Sequence, residues 1–414
     1  MNIFLLIPDS IIVSIIECWL ELSDIANLDS AHCEMKSRDL FLHTLSSITL
    51  HCKNELEHNK TSLRPNYDKI FVSDSFIPWV NKRNVFLKSL YFTAELQSNV
   101  SFRKELLSKI GSRILKVICN YYLYGSLYME TLKDISSLCA NLESLDFTDF
   151  GTHSSHDGKP KNIIFDHACL VSIISSCTSL IALNMNDLRI NDSGLLEIMK
   201  SCTRLRHLYI RDRVQLTTTG LITTAKYMNQ LETIEIGRRY NEDVAVHQDI
   251  YKVFICTPKL HTLHIPLYTL NSYTIQNMIF LCPLLQSLHF NTTVHISESV
   301  LQEFLQYHTM LENLRFNNTG QLSDNIIHTI YTYCKNIHTL YISQCTTTTD
   351  QSLLALLYKL LHLRNLDLTG YGFTNQETII EIAKLPLTTL RLPQCSRLSY
   401  KIFPKFCQYL TKIL

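Results

Sequence analysis

The chain has 414 residues, 46% of them apolar and 18% charged, with a net charge of +1. That is enough apolar material for a large folded core, and the near-neutral balance gives no support to a whole-chain attraction to nucleic acid or to an anionic membrane. With 10 Gly and 10 Pro, long disordered linkers are not expected.

The first segment, residues 1–44, opens with "MNIFLLIPDSIIVSIIECWL", an apolar stretch that does not read as a signal peptide. It has no basic start and no small-residue cleavage site, and Pro8, Asp9 and Glu17 interrupt it. Its apolar runs fall short of the roughly 20 residues a membrane helix needs. The expectation is an intracellular chain, cytoplasmic or nuclear, with its 14 cysteines reduced. Ile11, Ile12, Ile15, Ile16, Trp19 and Leu20 recur at helical spacing behind Pro8. Ser23 and Asp24 can cap a second helix carrying Ile25 and Leu28. Residues 1–44 are therefore expected to form a compact helical unit.

From residue 45 onward the chain repeats. Weak copies of an L-x-x-L-x-L frame stand at Leu45-Ile48-Leu50, Tyr67-Ile70-Val72, Leu87-Leu90-Phe92 and Ile114-Val117-Cys119. Regular copies begin at Leu142-Leu145-Phe147 and Leu180-Leu183-Met185, and continue at Leu205, Leu231, Leu260, Leu285, Leu311, Ile337, Leu363 and Leu387. The steps from residue 180 onward run from 24 to 29 residues. The longer step before residue 180 holds "TDFGTHSSHDGKPKN", a polar, Gly-containing insertion expected to be a surface loop spanning about 148–168. Residues 45–141 thus hold degenerate repeats and 142–414 regular ones of about 26 residues, the period of leucine-rich repeats.

Each repeat has a second half of helical pattern, such as "INDSGLLEIMKSC" at 190–202 and "LSDNIIHTIYTYC" at 322–334. Asn191, Thr217, Ser297, Ser323, Thr349 and Thr374 stand where N-caps are wanted. Glu298, Asp324 and Asp350 follow at the first helical position, where the helix dipole favours an anion. Strand, turn and helix in each unit predict an α/β solenoid. It would be a horseshoe with a concave parallel sheet and convex helices, in which neighbours bury what no single unit can bury alone.

Several repeats place a cysteine a few residues before a histidine, as in "SCTRLRHLYI" at 201–210. The frame separates the two. Cys139, Cys177, Cys202, Cys282 and Cys334 lie three residues before frame position 1, and Cys256 lies four before. At that place a helix ends, and a free cysteine packs as a small hydrophobe. Met228, His308, Leu360 and Lys384 hold the place in other repeats. Frame positions 1, 4 and 6 point inward and positions 3 and 5 outward, because side chains alternate along a strand. His207, His264 and His289 fall at outward positions, away from the cysteines, so zinc binding is not expected. No metal or cofactor is expected. The chain carries no P-loop, G-x-S-x-G or H-E-x-x-H, so it is not expected to be an enzyme.

The outward residues form the candidate binding surface. Position 5 reads Asp146, Asn184, Tyr209, Glu235, His264, His289, Arg315, Tyr341, Asp367 and Arg391. Position 3 is short or polar throughout, apart from His207. Tyrosine, histidine and arginine are common anchors of protein interfaces. Arg206 and Arg211, with Arg213, Arg238 and Arg239, could add a basic rim able to take an acidic or phosphorylated segment.

The whole chain resembles F-box proteins with cysteine-containing leucine-rich repeats. The array matches their C-x-x-L-x-x-L-x-L register. Residues 1–44 match the F-box pattern at Ile7-Pro8, Ile11, Ile15, Leu20, Asp24-Ile25, Leu28 and Cys33. Ser10 stands where the pattern has an acidic residue, and Lys36 where it has tryptophan. The resemblance implies a substrate receptor of an SCF-type, cullin-RING ubiquitin ligase. In it Ile7, Pro8, Ile11, Ile15, Leu20, Asp24, Ile25 and Leu28 would dock on a Skp1-like adaptor. The concave face, with Arg206, His207, Tyr209, Arg211, Glu235, His264, His289, Arg315, Tyr341, Asp367 and Arg391, would hold a protein substrate. The chemistry would belong to other subunits. The alternative is a non-enzymatic interaction scaffold or cytosolic recognition protein with no ubiquitin role, in which residues 1–44 only cap the array.

Overall fold

The computed structural model describes residues 89–92, 99–120, 126–149, 167–185, 190–211, 216–237, 248–265, 270–290, 296–316, 322–342, 347–372 and 377–392. The segment 1–44, the weak copies at 45–50 and 67–72, most of the 148–168 insertion, Thr374 and residues 393–414 lie outside them.

The elements alternate strictly. In chain order they are β1 (Ser89–Phe92), α1 (Val100–Ile110), β2 (Lys116–Asn120), α2 (Ser126–Leu138), β3 (Ser144–Asp149), α3 (His167–Ser176), β4 (Ala182–Asn184) and α4 (Asp192–Ser201). Next come β5 (His207–Arg211), α5 (Thr218–Ala225), β6 (Thr233–Gly237), the short α6 (Tyr251–Ile255), β7 (Thr262–His264), α7 (Ser272–Leu281), β8 (Ser287–Phe290) and α8 (Glu298–Tyr307). The last are β9 (Asn313–Phe316), α9 (Asp324–Tyr333), β10 (Thr339–Ile342), α10 (Asp350–Lys359), β11 (Asn365–Asp367), α11 (Glu377–Ala383) and β12 (Thr389–Arg391). The chain forms two compact units, Met1–Asp187 with Lys200–Arg204, and Leu188–Met199 with Leu205–Leu414. In the first unit β1 to β4 lie side by side in sequence order, all parallel. In the second unit β5 to β12 do the same. The protein is an α/β leucine-rich-repeat solenoid.

One backbone device sets the strand register. The carbonyl of frame position 2 accepts two N–H groups from the next repeat. Arg206 O takes Glu232 N at 2.8 Å and Thr233 N at 3.0 Å, and Arg364 O takes Thr388 N at 2.7 Å and Thr389 N at 3.1 Å. The same pair recurs at Leu115, Glu143, Glu232, His261, Gln286, Glu312 and His338. Within each unit the strands so joined start level with their neighbours, and the leucines of their frames stack in columns. Leu205, Leu208 and Ile210 are buried, as are Leu142, Leu145 and Phe147, Leu311, Leu314 and Phe316, and Leu363, Leu366 and Leu368. Each helix buries one face on the same core, as Ile326, Ile327 and Ile330 of α9 do. Each such side chain contributes roughly 1.5–3 kcal/mol by leaving water.

The caps appear where the sequence places them. Thr217, Ser323 and Thr349 accept hydrogen bonds from Gly220 N, Ile326 N and Ser352 N, and Asn191 accepts one from Gly194 N. Ser297 occupies the cap of α8 without capping any N–H. The carboxylates at the first helical position do more than meet the dipole. Asp192 accepts the backbone N–H of Thr217 at 2.8 Å and its hydroxyl at 2.6 Å. Asp324 holds Thr349 in the same way, at 2.9 Å for both. Glu298 accepts from Ser323 and Asp350 from Thr378. At Asp192, Glu298 and Asp324 an acid at one helix start thus fixes the cap of the next helix, while Asp350 reaches Thr378 inside the first turn of α11. Gly220 makes room for this, since a Cβ there would come within 2.0 Å of the Asp192 carboxylate.

In the first unit, Arg103 of α1 is fully buried with Asp134 of α2, its Nη2 lying 2.7 Å from Oδ2. Such a pair is costly to break from one side, because a buried charge would remain.

Candidate functional site

The inward cysteines are plugs. Cys139, Cys177, Cys202, Cys282 and Cys334 are all buried. The Cys202 thiol points at the carbonyls of Ile174 and Cys177 one repeat back, at 3.7 Å each. The Cys334 thiol does the same toward Leu305 at 3.4 Å and His308 at 3.8 Å. Burial pushes the Cys202, Cys282 and Cys334 thiols up to about 12. They are therefore neutral and poor nucleophiles at physiological pH. At one repeat the place differs from the sequence expectation: buried Thr257 fills it and half-buried Cys256 stands beside it, because this repeat turns one residue later. Among the described residues no group of three or more His, Cys, Asp or Glu side chains could hold a metal ion.

The outward residues of the second unit form one continuous row. Strand register sets Tyr209 beside Glu235, Glu235 beside His264, His264 beside His289, and His289 beside Arg315. The row continues through Tyr341, Asp367 and Arg391. Strands about 5 Å apart bring these side chains into contact. Glu235 Oε1 and His264 Nδ1 are hydrogen-bonded, and the rings of His264 and His289 stack with centroids 4.0 Å apart. The Arg315 guanidinium lies over the Tyr341 ring, 4.0 Å from its centroid. Asp367 Oδ2 lies 3.7 Å from Arg391 Nη1, and its Oδ1 accepts the N–H and hydroxyl of Thr369.

Glu235 and Asp367 are the buried members of the row, while Tyr209, His264, His289, Arg315 and Tyr341 are half-buried and Arg391 is exposed. Glu235 and Asp367 are each only 8% exposed, so they serve to position His264 and Arg391 rather than to offer free carboxylates. Arg315 differs: no carboxylate among the described residues lies within salt-bridge distance of it, and Tyr341 holds its plane. A guanidinium held against a ring keeps its outward N–H fork for an incoming acceptor.

The rest of the candidate set divides. His207 Nδ1 lies 3.1 Å from the Thr233 hydroxyl, on the same face as the row. Arg206 pairs with Glu232 at 3.0 Å at the strand entry. Arg211 ends β5. Arg213, Arg238 and Arg239 lie outside the described residues, as do the eight adaptor-binding candidates from Ile7 to Leu28. The floor beside the row is hydrogen-bonded too, Asn365 Nδ2 donating to Thr339 Oγ1 at 3.1 Å. The sequence shows that floor only as short or polar side chains. The signal was its run of hydroxyls and amides on adjacent strands, which can pair only once register is known.

No family model matches the chain, and no curated protein matches it. Among solved structures it is similar to a chain of the yeast Rad7–Elc1 complex, at 14% identity and a TM-score of 0.49, over 77% of this chain and 82% of that one. It is also similar to a chain of the TLR13–ssRNA13 complex, at 15% identity and a TM-score of 0.38. That second match covers 74% of this chain and 43% of the other. No helix among the described residues is long and apolar enough to cross a membrane.

Proposed function

We propose that the chain is the substrate-recognition subunit of an SCF-type ubiquitin ligase. Residues 1–44 dock on a Skp1-like adaptor bound to a cullin complex, and the outward sheet face of the second unit holds a protein substrate. The observation that carries the binding half is the row from Glu235 to Tyr341, where aromatic and imidazole contacts fix the side chains before any partner arrives. Preorganised side chains lose little entropy on binding. The adaptor half rests on the F-box pattern at Ile7-Pro8, Ile11, Ile15, Leu20, Asp24-Ile25 and Leu28. In this role the chain contributes proximity and orientation, and the transfer of ubiquitin belongs to other subunits.

The test is capture of purified Skp1 by the full chain. Binding is expected, with its loss when residues 1–44 are removed or when Ile11 and Ile15 are both changed to Asp. Failure of the full chain to bind Skp1 would leave the second reading, an interaction scaffold without a ubiquitin role. Lys36 and Ser10 favour that reading, because both depart from the adaptor-binding pattern.

A further inference from the structure

Nine large apolar side chains among the described residues are at least 42% exposed, and all nine fall between Ile255 and Leu361 in the second unit. Single exposed apolar residues are ordinary, but clustered ones are not. Eight of the nine share one edge, where a helix ends and the chain turns into the next strand. The exception is Tyr273, near the start of α7 and edge-on to Tyr251. On that edge Phe280, Tyr307 and Tyr333 lie at helix ends, and Leu284, Met310 and Leu361 lie in the turns that follow. Phe280 is 75% exposed and Leu361 77%.

Earlier repeats are mostly polar at the same register. Five residues before the frame, the place of Phe280, they hold Ser137, Ser175, Lys200 and Lys226, and just before the frame Asn141, Ser179, Arg204 and Gln230; four before, the place of Tyr307 and Tyr333, they hold Leu138, Ser176, Ser201 and Tyr227. The fold therefore does not need apolar side chains there, and water would be the better neighbour for them. Charge at this edge is also one-sided. In the four edge segments 280–287, 306–313, 332–339 and 358–365, Lys335, Lys359 and Arg364 stand against Glu312, and Glu381, which accepts the Tyr358 hydroxyl at 2.9 Å, is itself paired with Lys384, so the balance stays positive. The spacing suggests the shape of what covers the edge. The rings of Phe280 and Tyr307 lie 6.4 Å apart, close to the roughly 6 Å between residues i and i+4 of an α-helix.

We propose that this edge binds an amphipathic helix of a partner protein, with its apolar side chains among Phe280, Tyr307 and Tyr333 and acidic residues on its flanks. Helix-in-surface recognition of this kind uses anchors at i, i+3, i+4 and i+7. Exposed Tyr, Phe and Met are the types that become hot spots once covered. The proposal is independent of the sheet-face reading, which involves different residues.

The full chain would be panned against a displayed library of random peptides of about 16 residues, long enough for four helical turns. Enriched peptides should carry acidic residues around apolar ones at helical spacing. Their affinity should fall about tenfold or more on the F280D/Y307D variant and stay unchanged on R315E, which alters only the sheet face. The K335E/K359E variant leaves the apolar side chains in place and should also weaken the same peptides, which guards against a folding defect in the first variant. The proposal is overturned if no peptide is enriched, or if peptides are retained by F280D/Y307D. It is equally overturned if the wild type sediments as a dimer and F280D/Y307D as a monomer, since a second copy would then cover the edge. Binding of the wild type, but not of F280D/Y307D, to phosphatidylserine vesicles would instead assign the edge to lipid.

Discussion

At the scale of single residues, the most informative position is the plug at the end of each helix. A cysteine there fills a small space and turns a weak S–H donor to carbonyls of the preceding repeat. His308 takes the same place and is 2% exposed. Its Nδ1 lies 2.9 Å from Phe304 O and its Nε2 3.1 Å from Cys282 O. A neutral imidazole has one N–H, so it can satisfy only one of those carbonyls. Burial nevertheless pushes the His308 pKa below the ordinary histidine value, the two carbonyls pulling back only in part. The unfolded chain then takes up a proton near the usual value while the folded one stays neutral. Stability from this residue is complete above about pH 6.5 and falls as the pH drops toward its folded value. Replacing His308 with Cys, the residue the register uses on either side, should flatten that fall. Urea midpoints measured between pH 7.5 and pH 5 would show it as a smaller loss in the variant than in the wild type.

At the scale of elements, the helix starts form a relay. Asp324 illustrates it. Burial alone would raise its pKa, but the N–H and hydroxyl of Thr349, with the Ser352 hydroxyl, hold the carboxyl below its ordinary value. A lowered carboxyl pKa stabilises the fold above the unfolded value near 3.9 and loses that contribution as the pH falls through the folded one. Changing Asp324 to Ala should cost about 1 kcal/mol, and changing Thr349 to Ala about the same. The double variant should cost less than the sum, because the two residues share one interaction. Denaturant titration of the four proteins would measure that coupling, and strict additivity would show that the relay carries nothing. The acids were legible in the sequence as dipole partners of their own helices. Their second role was not, because a carboxylate reaching the next repeat depends on how closely two helix starts stack. Gly220 hints at it only once Asp192 is seen against it.

At the scale of the molecule, the repeat was legible almost entirely. Positions 1, 4 and 6 face a continuous core, so their chemistry repeats, and a repeat can be read without coordinates. The outward row was legible as a set of residues but not as a set of contacts. The Glu235–His264 bond and the Arg315–Tyr341 stack depend on rotamers that alternation does not fix. The apolar edge was not legible because its residues lie at helix ends and in the turns that follow, where the frame makes no demand. Nearest-neighbour stacking predicts how damage spreads. Leu340 is fully buried in the core between β9 and β11. Its change to Ala should cost about 2–5 kcal/mol. Hydrogen exchange should speed first in β9, β10 and β11, with β5 and β6 affected least. Uniform acceleration across the second unit would argue for one cooperative block instead.

The relay and the doubled acceptor at each strand entry share a direction: the donor always belongs to the later repeat and the acceptor to the earlier. A copied internal repeat of about 26 residues would therefore arrive with a donor for the unit before it and an acceptor for the unit after it. Tandem duplication in frame would leave the doubled backbone acceptor satisfied at either new junction. Such a chain can lengthen or shorten by whole turns during evolution while its surface residues diverge freely, as the change from polar to apolar side chains along one edge already illustrates.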